Sequence, residues 1–485
     1  MEPIAQGNTS EFVVNIRRVT PGFDFVSPLE DIILDISFSK LLSNKLYIEF
    51  YDSQDWLYYS KEIDLKMDKR GKISEIINIK GALGIHKVRV YTDSNNLVEL
   101  SLKVDTFTRI LTTSGFFDRF YDFLSFTVKR DSSFFRIGDK WINCNPTWIR
   151  DHIHEMKGYK YWETDIKSYI EHMLDLQMDN GAYYDFISTI NDPHRDYVGK
   201  EWKREDEEDG IIYIRIPVEA DLEYLLVEGA YTVWQVTGDN EWIKKYLPKL
   251  EKGLFYSMSD PLRWDKNYQL VKRPFTIDTW DFTNYLSNDM LETNRKIREL
   301  SPDNPFCIMH GDNSGMFEAC YYLSKIYESL GDIEKSRFWR NKAEHFKIRT
   351  NELCWNGRFY THQIHLDPQE SSKYDESERL SLSNAYNINR GIVDHDRAVK
   401  IIKEYKTRWE RDKETGRSFA EWYSIDPPYE RFIFYKDRMR RKRKIKDIIK
   451  NFMFSFLDSN FVINFNNTGK TAVKNSFFVS LPTLN

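Results

Sequence analysis

The sequence predicts a mainly α-helical protein, an α/α toroid that is incomplete at its C-terminus and follows a small antiparallel β sandwich. Three observations support this prediction. Residues 11–107 alternate apolar and polar side chains, as strands with one buried face do. From about residue 115 the apolar period becomes helical. The helical segments follow one another in pairs joined by short turns, which is typical of serial helical hairpins.

The size and charge of the chain limit the classes of protein to which it can belong. A chain of 485 residues exceeds one ordinary hydrophobic core, so more than one domain is expected. Its 70 basic residues are offset by 75 acidic ones, and this balance predicts no nucleic-acid and no membrane partner. The N-terminal residues lack a signal-peptide pattern, and no apolar run approaches the roughly 18 residues of a membrane span. We therefore expect a cytoplasmic protein.

The cysteine spacing predicts neither a zinc site nor a disulfide framework. The four cysteines lie far apart in the chain: Cys144, Cys307, Cys320 and Cys354. Buried, reduced thiols are the favoured interpretation. We predict no metal and no cofactor.

The first predicted domain covers residues 1–110. Its strands include FVVNI at residues 12–16, KLYIEF at 45–50 and KVRVY at 87–91. Strands that recur about every ten residues favour an antiparallel sandwich. The region has no cluster of catalytic residue types, so we interpret it as a packing or substrate-presenting module.

Helical hairpins are predicted throughout the second domain, residues 111–430. The clearest pair is 218–236 with 241–256, where Leu222, Leu226 and Val233 lie on one apolar stripe. Later pairs are 316–330 with 333–354 and 381–390 with 395–409, and an earlier pair is 116–128 with 164–178. A tetratricopeptide array is the alternative fold. The long, irregular loops after residues 179, 262 and 358 argue against it.

The first polar and aromatic cluster is NPTWIRDHIHEM at residues 145–156. A tryptophan ring such as Trp148 can stack on a sugar, while Arg150 donates to sugar hydroxyls and Asp151 accepts from them. A helix start, with Asp151 compensating the helix dipole, explains these residues equally well. His152 and His154 point to different sides of a helix, which disfavours a metal site.

A second cluster combines GAYYDF at residues 181–186 with RIPVEAD at 215–221. Tyr184, Asp185 and Glu219 are its candidate substrate contacts. Glu219 and Asp221 are predicted to lie in the first turn of a helix. Compensation of the helix dipole is therefore at least as good an explanation of both carboxylates as substrate contact.

Two further clusters supply candidate catalytic carboxylates. In FTIDTWDFTNY, residues 275–285, Asp281 lies between aromatic rings, which raise a carboxyl pKa and so suit a general acid. A helix N-cap is the structural alternative for Asp281. In RSFAEWYSIDPP, residues 417–428, Glu421 adjoins Trp422. Glycoside hydrolysis needs such a pair of separated carboxylates, one as acid and one as base.

Four short stretches of the sequence resemble motifs of the six-hairpin glycosidases, the glucoamylase- and trehalase-like enzymes. WIRD at residues 148–151 resembles their sugar-holding Trp-x-Arg-Asp stretch, and TWDFT at 279–283 resembles the stretch with the trehalase general acid. HGDNSG at 310–315 and SLSNAY at 381–386 fit the inner helices of these enzymes. The resemblance covers about residues 115–430 and implies an (α/α)6 toroid with glycosidase activity.

The resemblance also implies roles for single residues. Asp281 is implied to be the general acid. Most relatives invert the anomeric centre, which requires a base as well, and they usually supply it from the C-terminal third of the chain. Glu421 is the best remaining candidate there. The candidate substrate-binding residues are Trp148, Arg150, Asp151, Tyr184, Asp185, Glu219, Trp280, Asp312 and Trp422. The expected partner is a carbohydrate substrate. Two alternatives stay open: a glycoside phosphorylase on the same fold, and a non-catalytic carbohydrate-binding protein.

The last segment, residues 431–485, departs from the resemblance. KDRMRRKRKIKDIIK at residues 436–450 has nine basic residues in fifteen. A basic arm for an anionic surface is one interpretation, and a divergent or frame-shifted end is the one we favour. A toroid without its closing hairpin would expose apolar surface. We therefore expect this chain to be marginally stable and impaired in activity.

Overall fold

The structure is a computed structural model. It describes residues 3–19, 24–40, 43–65, 71–106, 112–130, 133–144, 147–196, 198–274, 299–368, 375–415 and 425–427. The chain divides into two compact units. Unit 1 comprises Met1–Ile216, Asp221–Asp260 and Glu318–Glu344, and unit 2 comprises Pro217–Ala220, Pro261–Phe317 and His345–Asn485.

The N-terminal part of unit 1 consists of two antiparallel four-stranded sheets. The first sheet has the order β1-β2-β3-β6, with strands β1 (Ala5–Asn8), β2 (Phe12–Arg18), β3 (Asp31–Phe38) and β6 (Lys72–Asn78). The second has the order β5-β4-β7-β8, with strands β4 (Lys45–Tyr51), β5 (Leu57–Asp64), β7 (Gly84–Thr92) and β8 (Leu97–Val104). The segments predicted as strands at residues 12–16, 45–50 and 87–91 lie within β2, β4 and β7.

One hydrophobic core joins the two sheets. Alternate residues of β2, namely Phe12, Val14 and Ile16, are fully buried, and the residues between them are partly exposed. The same cluster contains Ile48 from β4 and Val90 from β7. Because side chains alternate between the faces of a strand, the period of two in the sequence places one face of each sheet in this core.

The rest of unit 1 mixes helices with short strands. Its first helices are α1 (Phe116–Arg130), α2 (Ile149–Tyr159) and α3 (Ser168–Asp175), with strands β9 (Ser133–Ile137) and β10 (Lys140–Cys144) between α1 and α2. The predicted hairpin of 116–128 with 164–178 is therefore wrong, because a β-hairpin and α2 separate its two helices. A three-stranded sheet follows, with order β11-β13-β12 and strands β11 (Phe186–Thr189), β12 (Lys203–Asp206) and β13 (Ile211–Ile214).

The central helical hairpin of unit 1 is confirmed with a corrected start. Helices α4 (Leu222–Thr237) and α5 (Asn240–Ser259) meet at Gly238, whose φ of 67° is the left-handed conformation that glycine tolerates best. The carboxylate of Asp239 caps α5 by accepting from the backbone N–H of Trp242 at 2.9 Å. The predicted helix began at residue 218, but α4 begins only after Asp221.

Gly229 allows α4 to approach α2 and α3 closely. A Cβ atom at this position would lie 2.9 Å from Cδ1 of Ile170 and 3.2 Å from Cδ1 of Ile153. A side chain here would therefore require the side chains of Ile170 and Ile153 to shift. The close approach positions the N-terminus of α2 relative to the N-terminus of α4, where the candidate site described below begins.

Helices α6 (His310–Ser329) and α7 (Ile333–Cys354) form the next predicted hairpin. Unit 2 then contains α8 (Ser383–Asn389) and α9 (His395–Asp412), the last predicted pair. Its short strands are β14 (Trp264–Asp265), β15 (Leu270–Val271), β16 (Cys307–Met309), β17 (Gln363–His365), β18 (Leu380–Ser381) and β19 (Ile425–Asp426).

The predicted fold class is too narrow. The described residues combine helical hairpins with many small antiparallel sheets, so the fold is mixed and not mainly α. Closure of an (α/α)6 ring stays a prediction, as do the domain limits at residues 110 and 430. The basic segment 431–485 lies outside the described residues. Among the described helices, none is both long and apolar enough to cross a membrane.

Candidate functional site

The candidate site in unit 1 begins where the chain enters α2. Trp148 forms an isolated antiparallel bridge with Phe186 of β11. The backbone N–H of Ile149 donates to the carbonyl of Asp185 at 2.8 Å, and the N–H of Asp185 donates to the carbonyl of Ile214 at 2.8 Å. The first turn of α2 is thereby fixed to the sheet β11-β13-β12.

Trp148 belongs to an aromatic cluster on this sheet. Its ring stacks on Phe186 with centroids 3.9 Å apart, and the ring of His194 meets it edge-on at 5.9 Å. Trp148 is half-buried. A flat, partly exposed indole is the kind of surface on which the apolar face of a sugar stacks.

A histidine–carboxylate pair orients the histidine of this cluster. Nδ1 of His194 lies 2.8 Å from Oδ1 of Asp192, and the hydroxyl of Ser188 donates to Oδ2 of Asp192 at 2.6 Å. Burial alone would raise the pKa of Asp192, but the hydrogen bonds from His194 and Ser188 lower it to about 2. Asp192 is therefore ionised at neutral pH and favours the proton on Nδ1 of His194.

Arg150 is held in a two-point ion pair with Asp221. Its Nε and Nη2 donate to the two carboxylate oxygens of Asp221 at 2.6 and 2.8 Å. The side chain of Arg150 is 16% exposed and that of Asp221 only 4%. Two parallel hydrogen bonds fix the plane of a guanidinium as well as its position. Asp221 thus orients Arg150 from the residue that precedes α4, whereas the sequence predicted it inside the first turn.

Asp151 follows Arg150 in sequence, and the backbone of Asp185 bonds to Ile149 of the same helical turn. Asp151 is exposed in the first turn of α2, as both interpretations of the WIRD motif require. Asp185 is fully buried, and its backbone connects α2 to β13. The structure therefore brings Trp148, Arg150, Asp151 and Asp185 together within unit 1.

Tyr184 does not share the face of the sheet on which Trp148 stacks. Directly paired residues of antiparallel strands lie on the same face. Phe186 pairs with Ile214, whereas Tyr213 of the same strand pairs with Arg204. Because neighbouring residues alternate, Phe186 and Arg204 lie on opposite faces.

The ring of Tyr184 lies 6.0 Å from Tyr213, on the Arg204 side. A cavity of about 430 Å³ opens there, lined by Leu176, Gln177, Met178, Asp179, Asn180, Tyr184, Glu201 and Arg204. The predicted contacts Trp148 and Tyr184 therefore serve two different surfaces. No pattern in the sequence signals this separation, because residues 184 and 186 would share a face in a regular strand.

A second ion pair of unit 1, between Arg215 and Glu223, is also buried. Arg215 and Glu223 are both fully buried, with Nη1 of Arg215 2.6 Å from Oε1 of Glu223 and 2.7 Å from the carbonyl of Tyr183. Burial alone would lower the pKa of Arg215, but the Glu223 carboxylate raises it. Both groups are thus charged and buried, which is a structural arrangement.

Two predicted substrate contacts lie in unit 2. Asp312 is buried in the first turn of α6, 3.4 Å from Nη1 of Arg273. Glu219 is also buried, and it precedes α4 instead of lying in its first turn. Arg263 donates to the carbonyls of Pro217 and Val218, which fixes the segment that carries Glu219.

The asparagines of the two inner-helix motifs in unit 2 have structural contacts. Asn313 accepts from the N–H of Val271 at 2.8 Å and donates to the carbonyl of Val271 at 3.0 Å. Asn384 makes the same pair of bonds to the N–H and carbonyl of Tyr360, at 2.8 and 3.1 Å. Each side-chain amide therefore pairs with the backbone N–H and carbonyl of one residue, as a neighbouring strand would.

The four remaining predicted residues are Trp280, Asp281, Glu421 and Trp422, and they lie outside the described residues. The roles of Asp281 as general acid and Glu421 as base are therefore still predictions, and so is the expectation that Asp281 lies beside Arg150 and Asp151. Sequence reasoning missed Asp192 and His194, which have no recognisable motif. For Asp221 it weighed dipole compensation against substrate contact, whereas Asp221 precedes α4 and pairs with Arg150. Within the described residues, no group of three or more metal-ligating side chains could hold a metal ion.

Comparison with known proteins gives distant structural likenesses. No protein-family model and no curated protein matches the chain in sequence. One similar solved structure is the GH78 family rhamnosidase of Bacillus sp. GL1, with a TM-score of 0.41 and 13% identity. The match covers 83% of this chain and 41% of that one, so this chain spans about two fifths of its length. Another is the rhamnosidase from Klebsiella oxytoca with rhamnose bound, with a TM-score of 0.41, 9% identity, and coverage of 84% and 78%.

Proposed function

We propose that the protein is a glycoside hydrolase that acts on an oligosaccharide or a small glycoside with inversion at the anomeric carbon. The observation that carries this proposal is the arrangement at the start of α2. There, half-buried Trp148 stands two residues before Arg150, whose guanidinium is oriented by Asp221 at 2.6 and 2.8 Å. The sequence motif WIRD, by its resemblance to glucoamylase-like enzymes, points to Trp148 and Arg150 as well, and adds Asp151.

The chemistry of these groups suits a sugar at the cleavage position. Trp148 offers a flat apolar surface for the C–H groups of a pyranose ring. Arg150 is a hydrogen-bond donor of fixed orientation, and Asp151 is an exposed acceptor. Together they can donate hydrogen bonds to the hydroxyls on one edge of a sugar ring and accept hydrogen bonds from them. Fixed polar groups lower the entropy that is lost on binding.

The proposed reaction is a single displacement. A carboxylate, for which Glu421 is the candidate, takes a proton from water while the water oxygen bonds to the anomeric carbon. The bond from that carbon to the leaving oxygen breaks, and Asp281 donates its proton to this oxygen. Water adds across the bond, so no cofactor or further reactant is needed.

Replacement of the general acid tests the proposal. We expect Asp281→Asn to lower turnover of alkyl glycosides by about a hundredfold or more, because general acid catalysis contributes roughly this much. Aryl glycosides with good leaving groups need little protonation and should be hydrolysed at rates closer to those of the parent. Release of reducing sugar measures the first substrate, and release of nitrophenolate measures the second.

Asp278→Asn is the matched control, because it makes the same change three residues earlier in the segment. Parental turnover in the Asp281→Asn variant would contradict its role as acid. The anomer released first, followed by proton NMR before mutarotation, tests inversion separately. Binding of glycosides without any product would favour the non-catalytic alternative, and a strict requirement for phosphate would favour the phosphorylase.

A further inference from the structure

The cavity beside Tyr184 is a second recessed site in unit 1. It is lined by the end of α3, by the turn that follows it and by residues around β12. Its volume of about 430 Å³ is in the range of cavities that bind small molecules, roughly 300–1,000 Å³. Trp148 lies on the opposite face of the sheet β11-β13-β12, so the cavity is separate from the site at the start of α2.

Four polar side chains of this cavity can be used by a ligand. The carboxylates of Asp179 and Glu201 and the guanidinium of Arg204 are exposed, and none has a hydrogen-bond or ion-pair partner within the described part of the chain. The hydroxyl of Tyr184 likewise has no partner there. Burial raises the pKa of Tyr184, the positive charge of Arg204 lowers it, and the negative charge of Asp179 raises it, so that the pKa lies above its ordinary value. The hydroxyl is therefore protonated at neutral pH and can donate a hydrogen bond.

The cavity also has an apolar part. Leu176 and Met178 are half-buried, and the ring of Tyr184 is almost fully buried between them and Tyr213. Gln177 is not available, because its amide donates to the carbonyls of Gly181 and Lys249 at 2.9 and 2.8 Å. This amide instead holds the turn on which Asp179 and Asn180 stand.

The composition of the cavity selects the ligand class. Two carboxylates against one guanidinium disfavour an anion such as phosphate. A lining that combines hydrogen-bond donors and acceptors with aromatic and aliphatic side chains fits a neutral molecule with many hydroxyls and an apolar face. A saccharide unit has these properties, and it also agrees with the proposed function, on which this choice of ligand rests.

We propose that this cavity is a saccharide-binding site apart from the catalytic one. It would hold one sugar unit of the substrate, or of a longer chain to which the substrate belongs. Arg204 and the Tyr184 hydroxyl donate to the sugar, and Asp179 and Glu201 accept from it. Occupation of this cavity requires no chemistry and leaves the glycosidic bond intact.

Saturation-transfer NMR with methyl glycosides of glucose, galactose, mannose and rhamnose tests the proposal. The protein is the full chain with Arg150→Met, which weakens binding at the start of α2. We expect transfer to at least one of the four glycosides. Adding Arg204→Met and Glu201→Gln should weaken its binding by about tenfold or more, since two hydrogen bonds to charged groups are lost.

Arg337→Met is the matched control, because Arg337 is an exposed arginine of α7 in the same unit. It should leave binding unchanged. Equal binding in the Arg204→Met/Glu201→Gln protein and the Arg337→Met protein would overturn the proposal, and so would absence of transfer to all four glycosides. Thermal unfolding of each protein shows that a loss of binding is not a loss of fold.

Turnover separates this proposal from the proposed function. With Arg150 intact, Arg204→Met/Glu201→Gln should hydrolyse a short aryl glycoside within about twofold of the parent, because the cavity lies on the other face of the sheet. Binding in the cavity without turnover by the parent protein would contradict the proposed hydrolase function and support the saccharide site. Turnover without binding in the cavity would do the reverse.

Discussion

The N-terminal sandwich and the helical part of unit 1 differ in how completely they remove an ion pair from solvent. The core between the two sheets is built from aliphatic and aromatic side chains such as Ile48 and Phe12. Residues 149–260 also have an apolar core, and in addition they bury the ion pair Arg215–Glu223 with both side chains 0% exposed, whereas the pair Arg18–Glu30 of the sandwich is 10% and 15% exposed. Apolar burial is tolerant of exchange, whereas a buried charge requires its partner. The contrast teaches that the helical part of unit 1 depends on a charge pair that solvent cannot compensate, whereas the ion pairs of the sandwich keep some access to water.

The largest effect is expected from separating the most deeply buried pair. Arg215→Met leaves the Glu223 carboxylate buried without its cation, and we expect a loss of about 3–5 kcal/mol in the free energy of unfolding. Urea denaturation followed by tryptophan fluorescence measures this. The double variant Arg215→Met/Glu223→Gln should recover part of the loss, because no uncompensated charge remains. A loss below about 1 kcal/mol in the single variant would show that the pair is dispensable.

A smaller and purely apolar effect is expected in the sandwich. Ile48→Ala removes a fully buried side chain and should cost about 2–5 kcal/mol through lost burial and a cavity. The matched control is Ile76→Ala in strand β6, because Ile76 is 69% exposed. The same urea titration should show almost no change for the control. Equal losses for both variants would contradict the assignment of the core.

The smallest of these effects concerns pH. Burial lowers the pKa of His172 to about 4, with further lowering by Arg204 and Lys140 and opposition by Asp175. Since the unfolded value is about 6.5, the unfolded chain binds more protons between pH 6.5 and 4. This contribution to stability is complete above pH 6.5 and is lost as the pH falls towards 4.

The expected loss for His172 from pH 7 to pH 5 is about 1 kcal/mol, because the ring is only partly buried. His172→Gln should reduce the difference in urea stability between these two pH values by that amount. Glutamine can still bond to the Tyr213 hydroxyl, which lies 2.9 Å from Nε2 of His172. An unchanged difference would mean that His172 titrates as an exposed histidine.

The sequence predicted those parts of the fold that follow from periodicity. A period of two identified the strands of the sandwich, and a helical period identified α4 with α5 and the later pairs. It failed between α1 and α3, where the β-hairpin β9–β10 is short and its exposed residues, such as Phe134 and Trp141, do not alternate in the manner of a buried sheet. Local pattern also placed the start of α4 too early, since Glu219 and Asp221 look like first-turn acids.

The candidate site was predictable only in its residue types. Trp148 and Arg150 have a recognisable spacing, but the partner of Arg150 lies 71 residues later in the chain. Such a pairing depends on the packing of α2 against α4, which a single sequence does not specify. The separation of Trp148 from Tyr184 depends on the register of β11 with β13. No pattern within one strand reveals that register.

The reactivity of the cysteines can report the unfolding of each unit separately. All four are buried as free thiols, two in unit 1 (Cys144 and Cys320) and two in unit 2 (Cys307 and Cys354). Burial raises the pKa of every one of these thiols, so each is both shielded and protonated in the folded chain. An alkylating reagent can therefore modify them only after local or global unfolding. The order in which peptides with these cysteines become labelled would show whether the two halves of the molecule melt together or in succession.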